Sequence, residues 1–330
     1  MPANRIRLFV FLCAALATGA LRAAALTEAR PLMGTVVEVA ADGASRDALS
    51  VAFDAAYREM QRLSDMMNHY DPASVVSAIN GAAGRGAVAT PPELFAVLGM
   101  AQTLSAQTGG AFDVTVGALR GWRFRSDEAR IPPPPELAAQ RARVGWKGLH
   151  IDPAGRRAAL AEAGMRIDLG GIAKLYILHA GMRVLAARGI ERALVNGGGD
   201  VEVRGGTPER PWRVGVRDPR APERLLGVLE LRDGFVASSG DYERAFVRDG
   251  VRYHHILDPR SGYPSQGARG VTLTGGPLED LNGLGVAIMV LGAETGRRLL
   301  AARPGVEAAI VERDGGLWMS PGFRAQLRAE

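Results

Sequence analysis

Cysteine is almost absent from this chain, with one residue, Cys13, in 330. A lone thiol excludes a disulfide framework and any zinc centre built from several thiolates. Aromatic residues make up only 6%. Mean hydropathy is +0.01, which excludes a polytopic membrane protein, a disordered chain and a collagen-like one. No fixed repeat and no low-complexity tract is present. A strong basic excess is missing too, although the full chain carries a formal charge of +5. Arg5, Arg7 and Arg22 lie in the first 25 residues, which hold no acid, and without that segment 37 basic residues face 35 acidic ones.

Residues 1–25 read as a Sec-type leader. Arg5 and Arg7 form a positive start, Leu8 to Ala17 an apolar stretch and Ala23-Ala24-Ala25 a cleavage site. The apolar run is short for a membrane span, so a membrane tie is expected only through an uncleaved leader. Phe11-Leu12 ahead of Cys13 is a poor match to a lipidation site. The expected product is a periplasmic domain, residues 26–330, free of cysteine and nearly neutral, which makes nucleic acid a poor candidate partner.

The chain is rich in glycine, 42 residues, much of it clustered. The alternation in Gly34–Ala41 predicts a strand, and Ser45 is a candidate N-cap for an amphipathic helix running to about Met67. Further helices are expected over Pro92–Gln107, from Gly171 to Ala187, over Asn282–Leu291 and over Thr295–Ala302. Residues 131–135 read as an extended connector. Strands are expected in ALVN, VEVRG, WRVGVRD, LLGVLELR and GFVASS. Without regular βαβ alternation the fold class is α+β, a largely antiparallel or mixed sheet with flanking helices.

Four segments combine glycine, acid and hydroxyl residues beyond the needs of packing. In Thr108–Asp113 a double glycine admits close backbone approach and Asp113 offers an acceptor; a helix C-cap with a turn aspartate is the alternative. In Asp168–Lys174 paired glycines feed a helix N-terminus, which suits phosphate, and Lys174 there opposes the helix dipole unless it meets an anion. Asn196–Asp200 ends a strand with three glycines, as a ligand cradle or as a bulge or hairpin. The fourth spans Ser238–Arg244 and Tyr253–Pro264. There His254 and His255 must face opposite sides of a strand, and an aspartate follows three residues later.

In this order, with Met33-Gly34-Thr35 and Tyr70-Asp71-Pro72, these segments resemble the exported FAD:protein FMN transferases of the ApbE type over roughly residues 31–292. The resemblance implies cleavage of FAD, attachment of FMN through its phosphate to a threonine or serine of an exported flavin-accepting protein, release of AMP, and a bridging Mg2+. It implies Met33, Tyr70, Ala111, Phe112, Asp113, Lys174, His255 and Ile256 along the FAD. His255 would help deprotonate the acceptor hydroxyl, with Asp258 either orienting it or serving the turn before Pro259.

The implied metal positions are the Ala173 carbonyl, Asn282 and Val286. The family's A-D-A-L-A-T pattern carries Asp and Thr where this chain has Asn282 and Val286, an uncharged amide and an alkyl group. Leu175 and His179 also depart from the usual glycine and aspartate. Two readings follow. Glu279, on the same face of a continuous helix, supplies a replacement carboxylate; or the chain keeps FAD as a carrier, scaffold or slow hydrolase.

Overall fold

The computed structural model describes residues 24–329. The expected leader lies outside these residues, except that Ala24 and Ala25 already belong to the first strand. That strand, β1 (Ala24–Leu32), forms a hairpin with β2 (Thr35–Ala44). Ser45 then caps α1 (Arg46–Met67), its side chain accepting from the Ala48 N–H. Leu49, Phe53, Ala56, Met60, Leu63 and Met67 recur at helical spacing and are buried. Tyr57, on the same face, reaches the Glu28 and Val37 carbonyls at 2.8 and 3.0 Å and so ties the helix to both strands.

A small layer follows: α2 (Val75–Gly81), β3 (Val88–Ala89), α3 (Pro92–Gln107), α4 (Pro134–Arg141), β4 (Leu149–Asp152) and β5 (Arg157–Leu160). The expected connector at 131–135 is shorter than its prolines suggested. Pro134 opens α4 at a position where its missing N–H leaves no bond unmade.

Next come α5 (Ala173–Ala187), β6 (Arg192–Gly197), β7 (Val201–Arg204), β8 (Trp212–Asp218), β9 (Ala221–Leu231) and β10 (Gly234–Gly240). The hairpin β11 (Ala245–Arg248)–β12 (Val251–His254) precedes β13 (Ala268–Thr274). The chain closes with α6 (Leu278–Leu281), α7 (Leu284–Leu291), α8 (Ala293–Ala301), β14 (Glu307–Glu312), β15 (Leu317–Met319), α9 (Pro321–Gln326) and β16 (Leu327–Arg328).

The centre is an eight-stranded sheet in the order β1-β2-β6-β7-β10-β13-β14-β15. Its pairings are antiparallel throughout, as are those of the smaller sheets β16-β9-β8, β3-β5-β4 and β11-β12. The α+β expectation therefore holds in its antiparallel form. Helices α1, α5, α7 and α8 cover one face of the large sheet around the main core. The second core holds Val201, Val203, Val214, Val216, Leu229 and Phe323 and joins the other face to β8, β9 and α9. Buried on both faces, β7 directs Val201 and Val203 into that second core and Glu202 toward His179 of α5 at 3.1 Å. A third, smaller core of Leu119, Trp122 and Leu137 supports the β11–β12 hairpin through Tyr253.

Candidate functional site

Two hairpin tips meet at one end of the large sheet. Met33 and Gly34 turn β1 into β2 with φ of 53° and 70°, the two-residue geometry that fits strand twist. A non-glycine residue at positive φ is strained, so half-buried Met33 is held at this tip by the hairpin register. Pairing of Val37 with Gly197 places the β6–β7 tip alongside. Gly198 there has φ 71°, and a Cβ on it would meet the Thr35 hydroxyl oxygen at 2.7 Å. Of the two readings for Asn196–Asp200, the hairpin is the observed backbone. It also directs Asp200 inward, where one carboxylate oxygen accepts from the Ser238 N–H at 3.1 Å and the other lies 3.0 Å from Lys174 Nζ.

Lys174 stands in the first turn of α5, as the motif predicts. Gly170 and Gly171 ahead of it are exposed, and the Gly170 N–H is bonded to Asp168 at 2.8 Å. Asp168 also lies 3.2 Å from His69 Nδ1. Burial opposes ionisation of Asp168, but His69, the Gly170 N–H and the Arg244 guanidinium outweigh it and hold the carboxyl below its usual range. His69 in turn lies against Tyr70, with ring centroids 3.9 Å apart and the planes tilted by 40°, and Tyr70 is 79% exposed. The reading of the sequence included Asp168 and Arg244 in its motifs without giving either a role, and it passed over His69. The adjacency of His69 to Tyr70-Asp71 was the available signal.

The Thr108–Asp113 segment takes its C-cap form. The Thr108 and Gly110 N–H groups return to the Leu104 and Ser105 carbonyls. Ala111 and Phe112 are buried in the main core, and the Phe112 ring flanks Gly171, 3.4 Å from where a Cβ would stand. Asp113 is occupied within the protein. One oxygen accepts from the Thr115 N–H and hydroxyl at 2.7 and 2.6 Å, the other from the Trp146 N–H at 2.8 Å. Burial pushes its carboxyl above the ordinary range despite these bonds.

His254 ends β12 and His255 lies just beyond it. His254 is buried, its Nε2 3.0 Å from the Ser265 carbonyl oxygen. The His255 N–H donates to the Arg244 carbonyl at 3.1 Å, and neighbouring Ile256 is buried. His255 Nδ1 is sealed from solvent with no hydrogen-bond partner among the described residues. Burial first, then the Arg244 guanidinium, lower the ring to about 3, so it is neutral at pH 7.

Asp258 does not orient it. The Asp258 carboxylate accepts from the Arg260 backbone N–H at 2.9 Å and binds its guanidinium through both oxygens at 3.0 Å. That is the turn role, beside an open cleft of about 630 Å3 lined by Arg252, Tyr253, Tyr263 and Gln266. The ring of Trp122 supports the same loop by donating to the Gly262 carbonyl at 2.9 Å.

The implied metal positions do not form a donor set. Asn282 is 4% exposed and its amide nitrogen lies 3.8 Å from the Met100 sulfur. Val286 packs at Gly171 opposite the Phe112 ring. The helix expected over 282–291 is broken: α6 ends at Leu281, Gly283 takes φ 79° and α7 starts at Leu284. Glu279 therefore shares no helical face with Val286, and it is exposed. Among the described residues no group of three or more His, Cys, Asp or Glu side chains is placed to hold a metal ion. An amide turned to sulfur, a valine and one backbone carbonyl do not suit Mg2+, which is held by carboxylate oxygens in octahedral geometry.

The sequence pattern of the ApbE family matches residues 33–310. A protein of Treponema pallidum named FAD:protein FMN transferase is 34% identical over 272 residues, 77% of this chain and 75% of its own length. The crystal structure of the ApbE protein from Thermotoga maritima superposes with a TM-score of 0.83 at 32% identity, over 92% of this chain and all of that one. The flavin transferase ApbE from Vibrio cholerae gives 0.80 at 29% identity, with the same coverage. Similarity in sequence and in fold thus runs through every segment just described, and the chain belongs to the ApbE family.

Proposed function

We propose that this chain is an FAD:protein FMN transferase, joining the FMN half of FAD through its phosphate to a threonine or serine hydroxyl of an acceptor protein and releasing AMP. The observation that carries this reading is the cluster of Lys174, Asp200 and Ser238 beside the open Gly170-Gly171 turn in a chain of this family.

The charges of the reaction explain the need for cations. The acceptor oxygen attacks the FMN phosphorus, the bond to the bridging oxygen breaks, and that oxygen leaves with AMP. The pyrophosphate of FAD carries two negative charges. The products are a phosphodiester with one and AMP with up to two, so one proton is released. A phosphate monoester loses its second proton near pH ~6. Positive groups at the leaving phosphate therefore stabilise the transition state more than bound FAD.

Lys174 supplies one such charge, with Asp200 fixing its position at 3.0 Å. Only two of the chain's 40 basic residues are lysines, Lys147 and Lys174. An ammonium with three rotatable donors differs from a planar guanidinium at a phosphate. Half-buried Met33 and exposed Tyr70 offer apolar surface to the isoalloxazine, and neutral His255 accepts a hydrogen bond from the incoming hydroxyl. With the leader at 1–25, the acceptor belongs to the exported side, the periplasm. The test mixes the protein with FAD and a small flavin-accepting domain. AMP release together with a covalent FMN mass increase on the acceptor is the expected result; FAD bound with neither product would refute the reading.

A further inference from the structure

The position that the family resemblance gives to a divalent ion is filled here with apolar packing. Four observations agree. Asn282 is buried with its amide nitrogen toward the Met100 sulfur at 3.8 Å. The Phe112 ring and the two Val286 methyls stand 3.4, 3.5 and 3.9 Å from where a Gly171 side chain would begin. A Cβ on Gly283 would lie 2.8 Å from Leu104 and 3.0 Å from the Phe112 ring, so these apolar groups close tightly over the backbone. Glu279, the nearest candidate carboxylate in sequence, is exposed on the far side of the helix break. A divalent cation stripped of water at such a place has no anionic ligand to offset its desolvation.

The charge that a metal ion would offset still has to be met, and two cations are at hand. Lys174 is half-buried beside Asp200. Arg244 makes no ion pair among the described residues, is exposed, and is joined through its carbonyl to the His255 N–H at 3.1 Å. Lys174 thus stands in the first turn of the helix that follows the Gly170-Gly171 turn, and Arg244 is held by its backbone beside His255.

Resting on the transferase reading above, we propose that this chain binds the FAD pyrophosphate through Lys174 and Arg244 and needs no divalent ion to do so. Charge neutralisation is transferred from a metal to an ammonium and a guanidinium, and both flavin binding and AMP release are insensitive to chelation.

The test begins with binding, which does not depend on turnover. The affinity of the full chain for FAD is measured by flavin fluorescence with EDTA and with excess Mg2+, and Mn2+ is titrated into protein plus FAD and followed by electron paramagnetic resonance. The expected results are equal FAD affinities within twofold and a free-Mn2+ signal no lower than in an FAD-only control. Lys174→Gln and Arg244→Gln should each weaken FAD by about tenfold, the scale of one charge-assisted hydrogen bond. Arg244 is exposed, so its variant keeps the fold even if Lys174→Gln disturbs Asp200. A tenfold loss of FAD affinity in EDTA, or Mn2+ bound to the protein–FAD complex, would overturn the proposal, as would unchanged affinity in both variants. AMP and adduct are then assayed with and without EDTA. Products abolished by EDTA overturn metal independence but sustain the transferase. If products are missing in both conditions the transferase reading fails, and the binding results alone decide the ion.

Discussion

Replacing Asp113 by alanine separates a ligand-binding carboxylate from one that holds its own loop. The side chain is 6% exposed and accepts three bonds, two from Thr115 and one from the Trp146 N–H. Thr115 is fully buried, so its N–H would be left dry without a partner at about 1–3 kcal/mol. The half-buried Trp146 N–H can turn partly to water and costs less. Against these losses stands relief of a desolvated charge, since burial raises this carboxyl above its usual range. The net expectation for Asp113→Ala is about 2–4 kcal/mol of lost stability. Asp113→Asn keeps one acceptor oxygen for Thr115 but turns an NH2 toward the Trp146 N–H, for about 1–2 kcal/mol.

Urea unfolding followed by tryptophan fluorescence gives both values, with the slope m as a check on two-state behaviour. The ionised form is disfavoured in the fold, so in wild type this residue's contribution to stability falls as pH rises from the ordinary carboxylate range through its raised value. In Asp113→Asn that part of the slope disappears. A cost under about 0.5 kcal/mol for alanine, or a larger cost for asparagine than for alanine, would refute the hydrogen-bond reasoning. FAD titration of the asparagine variant decides the role. Unchanged affinity assigns Asp113 to the loop, and a tenfold loss with the fold intact returns it to the flavin.

His255, near 3 in the fold and about 6.5 when unfolded, leaves the unfolded chain holding the extra proton between those values. Its contribution is therefore complete above about pH 6.5 and is lost as pH falls toward 3, so His255→Gln should flatten the acid limb of stability in urea titrations from pH 8 to pH 4. Trp122→Phe leaves the buried Gly262 carbonyl unpaired; the expected loss is about 1–2 kcal/mol, with faster amide exchange confined to the 258–264 loop. Gly171→Ala introduces a Cβ only into ordinary contact with Phe112 and Val286. Stability should move by less than about 1 kcal/mol, while KM for FAD should rise severalfold, and an unchanged KM would mean that the flavin does not pass over this glycine.

Local signals carried the long helices, and long-range pairing was out of their reach. Ser45 and the spacing from Leu49 to Met67 define α1 because capping and one-sided burial are properties of a short window. The β11–β12 hairpin carried a local signal that the reading missed. Asp249-Gly250 between Arg248 and Val251 turns with φ of 52° and 74°, and the dipeptide announces it, yet the histidines that follow drew the reading instead. The place of β1 at the sheet edge and of β13 between β10 and β14 depends on partners far along the chain, which no window contains. At the site, Lys174 stands in the helix turn its motif predicts. Asp113 and Asp258 each accept from backbone N–H groups of their own loops, the turn alternative left open for both, because a carboxylate next to glycine or proline looks alike whether it faces a ligand or an Asx-type turn.

The metal position shows how one residue can defeat a periodicity argument. Glu279, Asn282 and Val286 share a face only if the helix through them is unbroken. Gly283 breaks it, at a φ of 79° that side-chain-bearing residues avoid, and where a Cβ would collide with Leu104 and Phe112. The break and the apolar closure are therefore one feature: with no side chain at 283, the Phe112 ring advances over the backbone into the region where an ion would need ligands and water. The loss of Asp and Thr and the presence of glycine beside them are then mutually consistent. Restoring the ion would require more than Asn282→Asp and Val286→Thr. It would require a backbone that holds Phe112 back, so the double variant alone should bind Mn2+ weakly, and adding Gly283→Ala should strengthen that binding if the chain can re-form the helix, or unfold the region if it cannot.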